Sequence, residues 1–440
     1  MHVLITAAGK RTEHWTALFA ALCDRPEVTL TVLAADVSAP THRALDRLAR
    51  QRPNLRYHLV PHLLGEDRTG HMASVLFRPG TGRLLGGQRP DVVHVIGEAA
   101  YLTTWQAIRM RQRYWAGTPI TLYAAQNIVM RFPVPFPRLE RQAYDTVDHA
   151  FPITPAALGV LRAKGYRGAA TIVPLGVDTA LFRPRASPRP SSERFTVGFV
   201  GRLEPHKGVR DLLRAVDLLD CDLLAVGGGS LRPEIERLAD SRPGRVRLHG
   251  WTDHADLPRL LSRMDVLVLP SIEVIQRNLV RWIGIPLREQ FGRVLVEAMA
   301  CGVPVVGSDV GEIPYVIGTA GLTYPAGDVL ALTDRLARLR DNRDFAQRLA
   351  TQGVSRATTE FSWTGTADSM CRVWRQLTGG ASPEPASTGA GGAVGRHEPA
   401  GGAVGHHDPA GGAVGHHDPA GAPAGTSGRS VPDAQKARTS

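Results

Sequence analysis

Short continuous apolar runs, each followed by a longer amphipathic segment, recur along this 440-residue chain in two series. The first series holds HVLIT, VTLTVLAAD, DVVHVIG and PITLYAAQN, with EHWTALFAALCD and YLTTWQAIRMRQRYW as amphipathic partners. A strand buried on both faces reads as an unbroken apolar run, and strands alternating with helices imply parallel βαβ units. A Pro-rich stretch, Phe182 to Pro190 (FRPRASPRP), interrupts the pattern and reads as a linker. The alternation then restarts with RFTVGFVG, CDLLAVGGG, RVRLHG, DVLVLPS and VPVVGSD as strands, separated by VRDLLRAVDLL, LRPEIERLAD, DLPRLLSRM and VLVEAMACG as helices. The simplest account is an α/β protein with two Rossmann-like doubly wound domains facing a cleft. Open α/β sheets bind ligands at the carboxyl ends of their strands.

From about Gly379 the pattern stops. AGGAVGRHEP (390–399) is followed by AGGAVGHHDP twice (400–409 and 410–419), a Gly/Ala/Pro/His repeat. Such a segment buries too little apolar surface to offset chain entropy, so 379–440 is expected to be a disordered tail. No run reaches the roughly 18 apolar residues of a membrane helix, and MHVLITAAGK reads as a buried strand rather than a signal peptide. Cys23, Cys221, Cys301 and Cys371 are scattered without metal spacing, which suits reduced thiols in the cytoplasm and no bound metal. Charge is uneven. Residues 1–190 hold 24 Lys and Arg against 13 Asp and Glu, a net of +11, and the remaining 28 basic and 28 acidic residues cancel. Solvated arginine-rich helices account for that excess, and so does an anionic partner. No recognition motif accompanies it, so nucleic acid is not expected.

Two motifs carry chemistry. Gly201-Arg202-Leu203-Glu204-Pro205-His206-Lys207-Gly208 lies between a strand and a helix. Gly201 lets the chain leave the strand tightly. Arg202 and Lys207 then share a loop at a helix N-terminus, where free N–H groups favour anions such as a diphosphate. The second motif is REQFGRVLVEAMACGVPVVGSD. Glu289 falls in a loop and Glu297, eight residues on, falls inside the following helix, which Gly302 ends. Phe291-Gly292 allows close approach of a ligand, and two carboxylates can each accept from sugar or ribose hydroxyls.

Together, GRLxPxKG, the LPS strand end, and the paired acids with FG and EAMACGVPVV resemble family 4 glycosyltransferases, the glycogen-synthase-like group with the GT-B fold. The likeness covers roughly residues 1–378 and is most specific over 196–325. It implies a retaining, metal-independent hexosyltransferase that uses a nucleotide-diphosphate sugar as substrate and needs no cofactor. Arg202 and Lys207 match the residues holding the leaving diphosphate, and Glu289 the acid on the donor sugar. Glu297 matches the acid on the ribose. Backbone from Gly292 to Val294 is expected at the phosphates, with Trp251 and Thr252 at the base. The resemblance divides the chain into an acceptor-binding domain (1–182), a linker (183–194) and a donor domain (195–360). A closing helix (361–378) is expected to pack back on the first domain.

The sequence also departs from the group. The first loop, TAAGKRTEH, keeps one glycine, Gly9, where relatives carry a pair. After the fourth strand, Gln126 and Asn127 stand where relatives carry a histidine. Gln126 and Asn127 can hydrogen-bond a sugar but cannot act as acid or base; a satisfied amide at a strand end is the competing reading. Glu98, beyond the third strand beside His94, is a candidate acceptor-side residue. The segment 272–288, with Trp282, is longer than expected and reads as a specificity loop, a membrane-touching loop or a packed excursion. The acceptor is expected to be a glycan, a lipid-linked sugar or a small molecule; the basic half suits an anionic or lipid-linked one and peripheral contact at an anionic inner membrane face, and a soluble acceptor is the alternative. Competing functions are a non-catalytic nucleotide-sugar-binding protein, a GT-B epimerase and a phosphorylase. A dinucleotide oxidoreductase would need GxGxxG after the first strand, which TAAGKRTEHW does not supply.

Overall fold

A computed structural model describes residues 1–65, 75–85, 87–184, 194–277 and 284–379. Most of the linker, Trp282 and the repeat tail from 380 lie outside the described residues. The two sheets belong to one compact unit.

The first sheet takes strands β1 (His2–Ala8), β2 (Thr29–Ala35) and β3 (Leu55–Leu59). A small antiparallel pair, β4 (His62–Leu64) and β5 (Leu76–Phe77), stands apart from it. The sheet continues with β6 (Val92–Ile96), β7 (Ile120–Ala124), β8 (His149–Pro152) and β9 (Ala169–Ala170). Its order is β3-β2-β1-β6-β7-β8-β9, and every pairing is parallel. β6 and β7 are buried at every position, as strands covered by helices on both faces must be.

The second sheet is built from β10 (Thr196–Val200), β11 (Asp222–Val226), β12 (Val246–His249) and β13 (Val266–Leu269). An antiparallel hairpin, β14 (Val274–Arg277) with β15 (Gly284–Leu287), then precedes β16 (Val305–Ser308) and β17 (Leu322–Tyr324). The order is β12-β11-β10-β13-β16-β17, again all parallel. Both sheets thus reverse direction beside their first strand, at β1/β6 and at β10/β13, the places where an open sheet opens a crevice.

Local differences from the sequence reading have physical causes. The expected first helix starts as a 3-10 turn (Lys10–Trp15) before the α-helix Thr16–Cys23. Thr12 tightens that turn by donating its N–H and its hydroxyl to Gly9 O, at 3.1 and 2.8 Å. The fourth strand stops at Ala124, so Gln126 and Asn127 belong to the loop after it. The long segment after Ser271 forms the hairpin β14–β15. Helix Arg343–Glu360 occupies a stretch in which no element was expected.

The last helix, Trp363–Leu377, starts at Ser362, whose hydroxyl accepts from Gly365 N, a side-chain cap worth about 1 kcal/mol. Its buried face carries Trp363, Met370 and Trp374 and lies on the first sheet's side of the molecule. Trp374 Nε1 donates to Thr121 Oγ1 on β7 at 3.2 Å, and Arg25 pairs with Asp368 at 2.5 Å. Trp15 stacks on Trp363 with ring centres 5.9 Å apart.

Candidate active site

The loops leaving β10 and β13 meet at the second sheet's reversal point. Gly208 has φ 64°, and a Cβ there would stand 1.7 Å from Pro270 O, so only glycine fits between the loops. Ile272 N donates to His206 O at 3.0 Å and ties them together. This places Lys207 beside the acid loop. Lys207 Nζ lies 2.5 Å from Glu289 Oε2, and Ser271 Oγ donates to the same oxygen at 3.0 Å. Ser308 Oγ in turn donates to Ser271 O at 2.5 Å. The sequence reading brought Lys207 and Glu289 to one site without foreseeing that they pair, and it missed Ser271.

Arg202 leaves the same loop exposed to solvent, and no acidic side chain among the described residues forms an ion pair with it. Glu204 is turned elsewhere, holding Ser230 N and Oγ at 3.0 and 2.7 Å; those bonds lower its pKa. Burial, then the Lys207 and Arg202 charges, lower the pKa of His206 and keep its ring neutral. The positive charge of this loop therefore rests on Arg202 and Lys207.

Glu297 sits on helix Arg293–Ala300, which Gly292 enters with φ 78°. His254 Nε2 lies 2.9 Å from Glu297 Oε1, and Arg293 reaches the same oxygen at 3.4 Å. Burial pushes the Glu297 acid up, but the His254 hydrogen bond and the Arg293 charge outweigh it, so the group is held below its usual range. His254 also lies against Phe182, ring centres 4.9 Å apart. Neither His254 nor Arg293 was named from sequence. Arg293 had a readable signal, standing four residues before Glu297 on one helix face; His254 had none beyond its nearness to Trp251 and Thr252.

Trp251 is 74% exposed and lies over Gly228, where an added Cβ would come within 2.7 Å of its Nε1. Thr252 beside it is half-buried, as is Val294 on the helix's first turn. Gly201 N donates to Val226 O at 3.0 Å, fixing the exit from β10. Phe291 departs from the expected donor contact: its side chain is buried edge-on against Phe361, centres 5.7 Å apart, so only its backbone faces the loop.

From the first sheet, one expected residue arrives at the same place. Asn127 Nδ2 donates to Glu289 O at 2.9 Å. Gly9 heads the turn after β1, bonded through N to Ala35 O at 3.0 Å, and His14 on that turn helps to lower the Glu297 acid. Glu98 and Gln126 enter a separate cluster. Glu98 Oε1 accepts from Ala125 N at 2.8 Å, while Lys164 Nζ reaches Glu140 at 2.6 Å and Gln126 Oε1 at 3.4 Å. Burial pushes the Glu98 acid up to about 7. Lys164 and Glu140 were not anticipated.

Among the described residues, no group of three or more His, Cys, Asp or Glu is placed to hold a metal ion, and no helix is long and apolar enough to cross a membrane. The four cysteines are buried and unbridged.

Comparison with known proteins agrees with this geometry. Residues 194–342 match the family described as Glycosyl transferases group 1. Glycogen synthase of Mycobacterium tuberculosis is 30% identical over 227 residues, 49% of this chain and 50% of that protein. The phosphatidyl-myo-inositol mannosyltransferase of Mycobacterium leprae is 32% identical over 222 residues, 48% and 55% of the two chains. This chain thus spans about half the length of the curated relatives it matches. Two solved structures share the fold along nearly their whole length. Sucrose-phosphate synthase of Thermosynechococcus elongatus has a TM-score of 0.64 at 20% identity, covering 86% of this chain and 99% of its own. Anabaena HepE, solved with UDP and glucose, has a TM-score of 0.62 at 17% identity, covering 86% and 100%. Residues 194–342 thus resemble the group 1 glycosyltransferases, and the described chain as a whole shares the two-sheet GT-B fold of these solved structures.

Proposed function

We propose that this chain is a retaining glycosyltransferase that moves a hexose from a nucleotide-diphosphate sugar to a sugar-bearing acceptor. The observation that carries the reading is the meeting of Arg202, Lys207 and Glu289 at one sheet reversal, before the helix that holds Glu297. In this reading residues 195–360 bind the donor and residues 1–182 the acceptor. Residues 183–194 link the two, the helix within 361–378 closes the structure, and the tail from 379 takes no part in transfer.

As the anomeric bond breaks, negative charge grows on the departing diphosphate. Arg202, with no acidic ion-pair partner among the described residues, and Lys207 then gain attraction as that charge develops, which is differential binding of the transition state. Glu289 balances Lys207 while the site holds no donor, and its carboxylate takes the donor sugar's hydroxyls once the diphosphate supplies Lys207 with a new anion. Glu297, kept ionised by His254 and Arg293, accepts from the ribose hydroxyls, with Trp251 and Thr252 at the base. The acceptor attacks on the face the diphosphate leaves, and the diphosphate takes its proton. The chemistry calls for no metal and no protein nucleophile. The decisive experiment is a thermal-shift and hydrolysis screen of uridine, guanosine and adenosine diphosphate sugars without acceptor. Stabilisation with slow hydrolysis by one of them is expected; stabilisation with no hydrolysis favours a binding protein.

The acceptor side supports an anionic or lipid-linked molecule. The net +11 lies within residues 1–190, and one similar protein is named for mannosyl transfer to phosphatidyl-myo-inositol. Beyond β7, Val129 and Val134 are 55% and 74% exposed, with Arg131 and Arg138 exposed beside them. A handful of cations near an anionic bilayer contribute about 1 kcal/mol each, screened by salt. The protein is therefore expected to sediment with anionic vesicles at low salt and to leave them near half-molar salt. Equal binding to neutral vesicles, or none, assigns the acceptor to solution.

A further inference from the structure

The acid loop of the donor site is held from both sheets. Glu289 O accepts from Glu312 N at 3.1 Å within its own sheet and from Asn127 Nδ2 at 2.9 Å across the cleft. The fit there is tight, since a Cβ on Gly311 would come within 2.1 Å of that same oxygen. Asn127 can reach it only if the short loop after β7 keeps its shape. That loop makes no ladder bonds of its own, and a carboxylate fixes it instead. Glu98 Oε1 accepts from Ala125 N at 2.8 Å, and Glu98 also takes the backbone bond of Gln126. Thr104 Oγ1 secures Glu98 from behind by donating to its carbonyl at 2.8 Å. Gln126 is 6% exposed; its Nε2 has no partner among the described residues and its Oε1 accepts only a long bond from Lys164 Nζ at 3.4 Å, so the backbone N–H groups are the closer hold on the loop.

We propose that Glu98 and Asn127 are positioning residues: Glu98 shapes the loop Ala125–Asn127, and Asn127 sets the Glu289 backbone, and so the Glu289–Lys207 pair, from the opposite domain. The inference rests on the glycosyltransferase reading for its consequence, though not for the contact itself. Hydrogen bonds from backbone N–H groups strengthen when the acceptor is ionised. Glu98 is the group in this chain of contacts that ionises near neutral pH, because burial raises it to about 7. The groups facing it are Lys164, at the end of helix Pro155–Ala163, and Glu140 and Tyr144 on helix Phe136–Thr146. Lys164 favours its ionised form and Glu140 opposes it. Raising the pH through 7 therefore tightens the loop and brings Asn127 to Glu289.

Two measurements on the full chain test this. The first needs no substrate: amide hydrogen exchange over 286–292 and 310–313. Asn127→Ala is expected to speed exchange there, and Glu98→Leu to speed it there and over 124–128. The second is hydrolysis of UDP-glucose and GDP-mannose. Asn127→Ala is expected to lower kcat about tenfold with donor KM little changed, as a misplaced reacting group does. In the wild type kcat is expected to rise between pH 6 and 8; Glu98→Gln, which keeps an accepting oxygen but cannot ionise, is expected to flatten that rise. Wild-type exchange in Asn127→Ala, or an unaltered pH profile in Glu98→Gln, overturns the proposal. If neither donor is hydrolysed by the wild type, the enzymatic reading fails, and the exchange experiment still decides the contact.

Discussion

The two sheets run the same strand order and reverse at the same place, yet their reversal points hold opposite kinds of polar site. At β10/β13 one cation stands in solvent, while the pair beside it has side chains only 17% and 14% exposed. Arg202 is exposed, Lys207 and Glu289 pair at 2.5 Å, and Ser271 steadies the acid. At β1/β6 and on to β7 the polar groups turn inward. Glu98 holds backbone N–H groups, and the Lys164–Glu140 pair has side chains only 7% and 12% exposed. On the proposed reading one sheet meets a charge that arrives with a ligand, and the other holds a loop still. The same topology serves both uses because the loops, not the strands, carry the groups.

The sharpest way to break this contrast is at Lys207. If the second sheet's site answers to developing charge, Lys207→Ala lowers kcat/KM by about a hundredfold or more, the usual cost of losing one preorganised electrostatic group. Steady-state kinetics on whichever donor stabilises the protein measures it. Near-normal turnover would reduce Lys207 to a counter-ion for Glu289, and the two reversal points would then differ only in exposure.

The same contrast explains what the sequence made legible. The donor-side residues come as types at fixed spacing, Arg202 five before Lys207 and Glu289 eight before Glu297, because one loop and one helix start must present them together. Strand runs such as VVHVI and ITLYA were readable because burial on both faces leaves no polar position. The inward cluster had no such signature. Glu98, Gln126, Glu140 and Lys164 come from separate loops and helices, and only the parallel order of the first sheet gathers them. His254 was hidden for the same reason, since its link to Glu297 spans 43 residues. Phe291 was read with Gly292 as a place where the chain approaches a ligand closely; that its ring is drawn into the core against Phe361 had no signal in the sequence.

A second test sharpens the inward half. Glu98 ionises near 7 in the folded chain and near 4.5 as an ordinary glutamate. Between those values the folded state holds a proton that the unfolded chain has released, so stability is greatest below about pH 4.5, falls as pH rises toward 7, and is level above it. Relative to Glu98→Gln, the wild type is expected to lose roughly 3 kcal/mol over that window. Urea unfolding of both proteins at pH 5 and pH 8 measures the difference. A gap that stays constant with pH would mean that burial does not raise the Glu98 acid, which erases the contrast.

The smallest expected effect concerns the element that crosses between the halves. Helix Trp363–Leu377 follows the second sheet in sequence but packs against helix Thr16–Cys23 of the first. Trp374 ends its buried face under β7, donating to Thr121 Oγ1, which also meets His94 Nδ1 at 2.9 Å. Burial lowers the His94 pKa to about 3, so this contact joins neutral groups, unlike the Lys207–Glu289 pair. Trp374→Phe removes the donor and part of the ring while leaving Thr121 bonded to His94. The loss should be about 2 kcal/mol, one hydrogen bond plus the small cavity that the lost part of the ring leaves, with the fold kept. The helix sits in a core cluster that both sheets share, but its hydrogen bond and its helix partner belong to the first, so faster hydrogen exchange should appear in β6 and β7 more than in β10 or β13. Equal loosening of both sheets would show instead that the helix braces the whole molecule, and the halves would then have to be treated as one cooperative unit whose inward and outward sites are coupled.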